Sequence, residues 1–524
     1  MESARRTREG ATRRSCAVRG VLTTFALLLL GLALGGCGSR SSGPGTVFHW
    51  WMARPAPSFD PDGPWDPARA AIERLLTRAL VEEDSLGRPQ LSAAQRLTIS
   101  PDRLRYTFEL REDLRFTDGS PCGSGNFREA LQAGLARRDH STRVWELGEV
   151  RGLEAVRAGR PLPALGIETP DPRTLVIQLA RPDSMLLGRL AVPGACSAWA
   201  HRDSADNWSH AIGLGPYRVL RSDGLRLVML GDGGSGPDTI AIRFGLGGAR
   251  ARAQLRGKDV DLMWPCPPRL LDEPAPAGYR AVSRPASPSR WLALVMRADV
   301  PPTTRLPARR ALAHGFPRGE LPRQAGYGAR EVNEWMPGSG PAQLPNLDLG
   351  QLQSWLERGK LGRSFHITMA FDADAPTSDL ARTLQGEWAR HGLYVDLKPL
   401  RGQAFRDEAL SGQAQALLVE YQALTAGALG NLAPLVMPLR GPAVGTFRTG
   451  WRTREFDPWL APRRAAPPFS PGYAERRLEE ETIVLPLAQL SWAWLSREGG
   501  PVVSFHPRFG PSGATPVLVP NVKR

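Results

Sequence analysis

Apolar and aromatic side chains alternate with polar ones between Leu104 and Phe116. The alternating residues are Leu104, Tyr106, Phe108, Leu110, Leu114 and Phe116. A period of two is typical of a β-strand that buries one face, so it predicts such a strand here. Ser100-Pro101-Asp102 before the stretch and Thr117-Asp118-Gly119-Ser120-Pro121 after it are turn-forming sequences. Asn126 is placed to cap a following helix, so the stretch predicts mixed α/β structure.

The chain is long enough for two or three domains, and its charge is strongly positive. It has 524 residues, and 67 basic minus 52 acidic residues give a net charge of +15. A basic chain can bind nucleic acid or an anionic membrane surface. The arginines are scattered, without long basic runs or interleaved aromatic residues. We therefore interpret them as solvated surface charge and predict no nucleic-acid partner.

The N-terminus has the pattern of an export signal. Several arginines precede an apolar segment from Val21 to Leu34, which is shorter than the ~20 residues of a membrane-spanning helix. Leu34-Gly35-Gly36-Cys37 resembles a bacterial lipobox, which implies cleavage after residue 36 and lipidation of Cys37. The alternative is an uncleaved anchor with an incidental cysteine. Residues 37–45 are polar and small, so we expect a flexible tether.

The sequence shows no motif for catalysis or metal binding. The eight histidines are dispersed, and there is no H-E-x-x-H, G-x-S-x-G, phosphate-binding loop or C-x-x-C motif. We therefore predict a protein that is not an enzyme, with no catalytic residues, no metal and no cofactor. Cys122, Cys196 and Cys266 allow at most one disulfide bond, and the pairing stays open.

The identities of the residues in the stretch from Arg96 to Phe127 are more informative than their alternation alone. The stretch resembles the signature of the family 5 extracellular solute-binding proteins, which serve ABC importers of oligopeptides, dipeptides and nickel. The matching residues are Ser100, Asp102, Tyr106, Thr107, Phe108, Leu110, Arg111, Phe116, Asp118, Gly119, Pro121 and Phe127. Further segments with the same resemblance include 165–179, 213–219, 255–261, 308–313 and 478–487.

The resemblance implies an α/β fold of the two-lobe periplasmic-binding-protein type, the large three-subdomain form of class II, with a hinge between the lobes. The implied boundaries run in chain order. They are a signal peptide at 1–36, a tether at 37–45, lobe 1 at 46–285 with an inserted subdomain at about 60–163, lobe 2 at 286–475, and a return to lobe 1 at 476–524.

The same resemblance implies a lipid-anchored, monomeric binding protein on the outer side of a membrane. It would deliver a peptide-like or other small solute to ABC permease subunits. A lipoprotein that keeps the fold as an envelope scaffold or sensor partner is the alternative.

Peptide binders of the family carry an Asp-Tyr-x-Asp-Pro segment whose carboxylate pairs with the ligand amine. That segment is absent here, and Glu420 is the nearest carboxylate. Candidate ligand-binding residues are Trp50, Trp51, Glu420, Tyr421 and Trp451.

Overall fold

The structure, a computed structural model, describes residues 46–511 with several gaps. The residues within this range that it does not describe are 55, 58–66, 85–87, 137–149, 184–185, 192–198, 202–207, 209–210, 234–235, 246–250, 252, 254, 258, 267–269, 272–273, 337, 363–364, 374, 376–377, 423–431, 433–434, 436–446, 452, 457–469, 504 and 507–509. Cys37, Cys196 and the predicted signal peptide lie outside the described residues. Residues 47–524 form one compact unit, which contains all four described hydrophobic clusters and therefore folds around its own cores.

The strands are numbered in chain order. They are β1 (Val47–Trp51), β2 (Val81–Glu83), β3 (Pro89–Leu91), β4 (Ala94–Ile99), β5 (Arg105–Leu110), β6 (Ile167–Asp171), β7 (Thr174–Gln178), β8 (Trp199–His201), β9 (Ile212–Gly213), β10 (Tyr217–Ser222), β11 (Arg226–Gly231), β12 (Thr239–Arg243), β13 (Leu262–Met263), β14 (Tyr279–Met296), β15 (His366–Asp372), β16 (Tyr394–Leu400), β17 (Ala416–Gln422), β18 (Val484–Arg497), β19 (Phe505–His506) and β20 (Gly510–Pro511). The α-helices are α1 (Pro67–Leu76), α2 (Ser124–Ala136), α3 (Leu153–Arg157), α4 (Leu186–Leu190), α5 (Leu306–Ala313), α6 (Leu321–Ala325), α7 (Leu349–Arg358), α8 (Asp379–Arg390), α9 (Gly402–Ser411) and α10 (Pro471–Glu481).

Ten of the described strands form one sheet in the order β10-β11-β12-β1-β13-β18-β14-β17-β15-β16. Strand β1 is parallel to β12 and β13, and β15 is parallel to β16 and β17. Strands β14 and β18 lie between these two parallel groups and join them. The sheet thus has two halves, as the sequence resemblance led us to expect.

A separate four-stranded sheet, in the order β4-β5-β7-β6, contains the stretch that opened the sequence analysis. Tyr106, Phe108 and Leu110 are buried on one face of β5, which confirms the predicted alternation. Complete burial of a side chain such as Phe108 contributes about 1.5–3 kcal/mol. This sheet extends to Gln178, past residue 163, where the prediction ended the inserted subdomain. All the predicted domain boundaries, including that of the inserted subdomain, stay predictions.

The predicted start of the helix after this sheet, with Asn126 as its cap, was wrong by three residues. Helix α2 begins at Ser124, so Asn126 lies in its first turn. The Asn126 side chain accepts a hydrogen bond from the Gly123 backbone N–H at 3.0 Å, and the Ser124 hydroxyl donates to the Asp171 carbonyl at 2.6 Å. A tertiary contact with β6 therefore sets where the helix starts.

The helices of the second half are amphipathic and cover the sheet. Leu380, Leu384 and Trp388 of α8 recur every fourth residue and are all buried, as the sequence predicted. The Trp388 indole N–H donates to the Leu312 carbonyl at 3.0 Å, which ties α8 to α5. None of the helices in the described ranges combines the length and the apolar character that a membrane crossing requires.

Candidate functional site

The two halves of the large sheet meet where β14 changes its pairing along β18. The register passes from Pro285 opposite Ser491 to Arg290 opposite Leu490, so residues 286–289 of β14 have no partner on β18. Proline lacks a backbone N–H and therefore occurs in sheets at edges and bulges, and both Pro285 and Pro288 stand here. The sequence thus places an interruption at the junction of the two halves.

Arg290 is the first residue after this bulge, and its guanidinium bonds to the carboxylate of Glu420. The two residues are diagonal neighbours, because Arg290 pairs with Gln422 and Leu292 pairs with Glu420. Their side chains are only 16% and 20% exposed. The pair is therefore a largely buried ion pair on one face of β14 and β17.

Arg290 also connects this ion pair to a row of tryptophans in the first half. Its Cζ lies 4.5 Å from the ring centroid of Trp492, a cation–π arrangement. Trp492 packs edge-on against Trp264 at 5.8 Å, and Trp264 lies 6.0 Å from Trp50. The Trp50 indole N–H donates to the Trp264 carbonyl at 2.6 Å. Side chains of both halves are thus in continuous contact at the junction.

The structure places the predicted ligand-binding tryptophans in hydrophobic clusters. Trp50 is fully buried, and Trp51 is 4% exposed in a different cluster on the opposite face of β1. Trp451 is 9% exposed and packs edge-on against Phe456 at 6.1 Å. These contacts give all three residues a packing role, and their ligand-binding role stays a prediction.

Glu420 and Tyr421 are neighbours on β17 but point to opposite faces, as successive strand residues do. Tyr421 packs edge-on against Phe447 at 5.9 Å in the core of the second half. Of the five predicted residues, Trp50 belongs to the tryptophan row, and Glu420 is linked to that row through Arg290. The role of Glu420 toward a ligand also stays a prediction.

Sequence reasoning missed Arg290, the residue that brings these groups together. It follows a run rich in proline and serine that contains the predicted boundary between the lobes, at residues 285 and 286. A basic residue directly after such a run, at the start of an apolar strand, is the signal that could have identified it.

A short segment of the second half lies across the junction. Residues Arg330 and Gln489 exchange two backbone hydrogen bonds of 2.9 Å, and the Ser491 hydroxyl donates to the Gly328 carbonyl at 2.7 Å. Tyr327 packs against the cluster that contains Trp51. The segment 327–330 therefore contacts β18 on both sides of the point where β14 changes its pairing.

The Arg318 side chain connects the residues that follow this segment to β18. Its Nη2 donates to the carbonyls of Val332, at 3.1 Å, and Pro486, at 2.9 Å. Burial lowers the pKa of Arg318 to about 10, and nearby Glu331 opposes that shift. The guanidinium stays charged at neutral pH, so both hydrogen bonds are charge-assisted.

Two cavities are found away from the junction. One, with a volume of about 590 Å³, is lined by residues 349–362 around α7 and by His391. The other, about 350 Å³, lies beside the four-stranded sheet and includes Cys122. Neither contains a residue of the crossing strands.

Within the described ranges, no group of three or more His, Cys, Asp or Glu side chains is arranged to hold a metal ion. Cys122 is a free thiol, so it is not bonded to Cys266. Burial raises the pKa of the Cys122 thiol to about 12 and also raises that of Cys266. Both thiols therefore stay protonated at neutral pH.

The sequence matches the family model for bacterial extracellular solute-binding proteins, family 5 Middle, over residues 88–438. Similar curated proteins include the oligopeptide-binding protein OppA of Bacillus subtilis, 23% identical over 168 residues, which are 31% of each chain. The probable deoxycholate-binding periplasmic protein YgiS of Escherichia coli is 28% identical over 171 residues, or 32% of each chain. The match thus spans about a third of the length of these relatives.

Solved structures share the fold over most of their length. The murein tripeptide binding protein MppA of Escherichia coli gives a TM-score of 0.75 at 16% identity, with 90% of this chain and 97% of that chain covered. OppA of Haemophilus influenzae in complex with RPPGFSPFR gives 0.73 at 15% identity, with 90% and 97% covered. At this level of identity the likeness is one of fold.

Proposed function

Because the chain belongs to the bacterial extracellular solute-binding proteins of family 5, we propose that it captures a small solute between its two halves and delivers it to an ABC permease. The family model matches residues 88–438, a range that includes strands of both halves of the large sheet. The two-lobe α/β fold expected from the sequence is confirmed by the crossing strands and by the likeness to MppA.

The geometry that carries this proposal is the junction between β14 and β18. Two long strands join the halves, and their ladder is interrupted by residues 286–289. Hinges between lobes are short segments that absorb backbone rotation, and an interrupted ladder has fewer hydrogen bonds to resist it. We assign the hinge to this bulge.

The proposed solute is peptide-like or another small molecule. The similar proteins are named as binders of oligopeptides, dipeptides, glutathione and, as a probable ligand, deoxycholate, so the family scaffold accommodates different chemistries. Arg290 neutralises Glu420 within this chain, so Glu420 is not a ready counter-ion for a ligand amine. This favours a ligand held by contacts other than a free α-amine.

We further propose that the protein is a lipid-anchored monomer outside the cytoplasmic membrane, attached through Cys37, and that it catalyses no reaction. The lipobox resemblance of Leu34 to Cys37 supports the anchor, and family membership supports an extracytoplasmic location. Family membership also favours transport over the alternative of a scaffold or sensor partner.

Mass spectrometry of the solute that co-purifies with the protein, followed by small-angle scattering with and without that solute, tests the proposal. We expect a smaller radius of gyration with ligand, because the halves close on it. A variant with Pro285→Gly and Pro288→Gly should bind with changed affinity and keep the compaction. A protein that binds its solute without any compaction would contradict the hinge, and one that binds no small solute would contradict transport.

A further inference from the structure

One face of β10, β11 and β12, at the edge of the large sheet, has a group of exposed arginines. Strands β10, β11, β12 and β1 are adjacent, and one face of them packs into the hydrophobic cluster that contains Leu227, Met229, Ile240 and Ile242. The opposite face has Arg218, Arg221, Arg226 and Arg243, all of them exposed. We call this face the arginine face.

The strand register brings these four arginines to the same side. Arg218 is opposite Leu230, Arg221 is opposite Val228, and Arg226 is opposite Arg243. Paired residues on neighbouring strands point to the same face, and so do residues two apart along a strand. The sequence analysis treated these arginines as scattered, but three adjacent strands bring them together.

Three of the four arginines on this face are not neutralised by an ion pair within the described ranges. Arg221 forms an exposed ion pair of 3.2 Å with Asp223, and Arg243 lies 5.6 Å from the ring of Trp51. Arg218, Arg226 and Arg243 have no ion pair within the described ranges. None of the β1, β10, β11 or β12 residues on this face is acidic.

Apolar side chains lie between and beside these arginines. Val228, Leu230 and Ala241 are half-buried on the same face, and Val47 at the start of β1 is 46% exposed. At the edge of the sheet, Leu220 and Leu225 are 59% and 67% exposed. Exposed leucines beside a group of arginines combine the two properties that favour binding to an anionic lipid interface.

We propose that the arginine face docks the protein on an anionic lipid surface. The arginines lie near the lipid phosphates, and Leu220 and Leu225 enter the headgroup region. Charge complementarity favours a lipid over a neutral protein surface, since the whole chain also has a net charge of +15. The proposal goes beyond solute capture and does not depend on it, because the arginine face lacks Arg290 and Glu420.

Vesicle co-sedimentation of residues 47–524 tests the proposal, because this compact unit contains the described cores and lacks the apolar N-terminal segment. The probes are vesicles of phosphatidylcholine alone and vesicles with about one-third phosphatidylglycerol, in NaCl from about 0.05 to 0.5 M. The variant combines Arg218→Glu, Arg226→Glu and Arg243→Glu. The matched control combines Arg160→Glu, Arg323→Glu and Arg454→Glu, three exposed arginines elsewhere in the chain.

We expect the wild type to bind anionic vesicles only and to lose this binding as salt is raised. The arginine-face variant should bind at least about 100-fold more weakly, since each arginine contributes about 1 kcal/mol at such a surface. The control, with the same change in net charge, should bind like the wild type. Equal losses in both variants, or no binding by the wild type, would overturn the proposal.

Sedimentation velocity of the wild type without lipid tests whether a second copy of the chain binds the arginine face instead. A salt-sensitive dimer that the arginine-face variant no longer forms, together with no vesicle binding, would assign the face to a second copy of the chain and overturn the lipid proposal. Circular dichroism melts of both variants check that they are folded.

Discussion

Arg290 and Glu420 meet at the point where β14 stops pairing with one half of β18 and begins to pair with the other. The guanidinium lies between the carboxylate on β17 and the face of Trp492 on β18, 4.5 Å from the ring centroid. Arg290 thereby links a strand of the second half to the aromatic core of the first. A pair in this position opposes separation of the halves and occupies the carboxylate of Glu420.

Arg290→Met should lower the free energy of unfolding by about 1–3 kcal/mol, because it leaves Glu420 largely buried without this partner and removes the contact with Trp492. Urea denaturation at neutral pH measures the change. Arg382→Met is the matched control, since its ion pair with Asp379 is 74% and 64% exposed. That control should change stability by less than about 0.5 kcal/mol, and equal effects of the two variants would contradict the role of Arg290.

We predict that peptides, if they bind, do so without an anchor for their α-amine, because Glu420 is paired with Arg290. Calorimetry with matched free and N-acetylated di- to pentapeptides should give affinities within about twofold of each other. An amine anchored by a carboxylate would contribute at least ~1.5 kcal/mol, or about tenfold in affinity. A tenfold loss on acetylation that Glu420→Gln also produces would show that the prediction is wrong.

Gly328→Ala should destabilise the protein more than Gly119→Ala, although both glycines have positive φ angles, of 74° and 88°. A Cβ atom at Gly328 would lie 2.6 Å from the Ser283 hydroxyl oxygen, whereas one at Gly119 meets nothing within 4 Å. Gly119→Ala therefore costs only backbone strain, about 1 kcal/mol, and Gly328→Ala adds a steric clash at the junction. Thermal denaturation of the two variants measures the difference in stability. Equal decreases in melting temperature would show that the clash does not contribute.

The positive φ of Gly119 confirms the turn predicted from Asp118-Gly119. The Asp118 carboxylate accepts hydrogen bonds from the Ser120 backbone N–H at 2.9 Å and the Ser120 hydroxyl at 2.6 Å. These bonds lower the pKa of Asp118. The turn is thus held by local hydrogen bonds.

Stability should fall at acid pH as Glu408 is protonated. Burial alone would raise the pKa of Glu408, but hydrogen bonds from Lys398, at 2.6 Å, and from the backbone N–H groups of Ala414 and Gln413, at 2.7 and 2.9 Å, outweigh it and lower the pKa. The folded pKa therefore lies below the unfolded value of about 4.3. The stabilisation is present above that value and is lost as the pH falls through the folded pKa.

Glu408→Gln should therefore lower the free energy of unfolding by about 1–3 kcal/mol at neutral pH, and the difference from the wild type should shrink below about pH 4. Urea denaturation between about pH 7 and pH 3 measures it. Glu112→Gln serves as the control, because the Glu112 side chain is 77% exposed in its pair with Arg173. If Glu408→Gln lowered the free energy of unfolding by the same amount at every pH, the charge of Glu408 would not be the cause of the loss.

Cys37→Ser should release the full chain from membranes or leave an unprocessed precursor, because a serine hydroxyl does not replace the thiol that lipidation requires. Metabolic labelling with a fatty acid and fractionation of cells measure both effects. Cys16→Ser is the control, since this cysteine lies within the predicted signal peptide. Labelling of the Cys37→Ser protein at the wild-type level would contradict the anchor.

The sequence by itself determined the family and the local elements that define it. The alternation from Tyr106 to Leu110, the Asp118-Gly119 turn and the buried stripe of Leu380, Leu384 and Trp388 depend on residues close together in the chain. Such patterns follow from strand and helix periodicity, so they are visible before folding. The start of α2 was misplaced because a contact with Asp171, distant in sequence, fixes it.

Only the tertiary structure decided which residues meet. Arg290 and Glu420 are separated by 130 positions and become neighbours because β14 pairs with β17. Trp50, a candidate for the ligand site from sequence, lies in a core because β1 is flanked by β12 and β13. The arginine face likewise exists only because β10, β11 and β12 are in register. Residue type and spacing determine which local elements form, but strand order and register determine which side chains share a face, and these depend on contacts between distant parts of the chain.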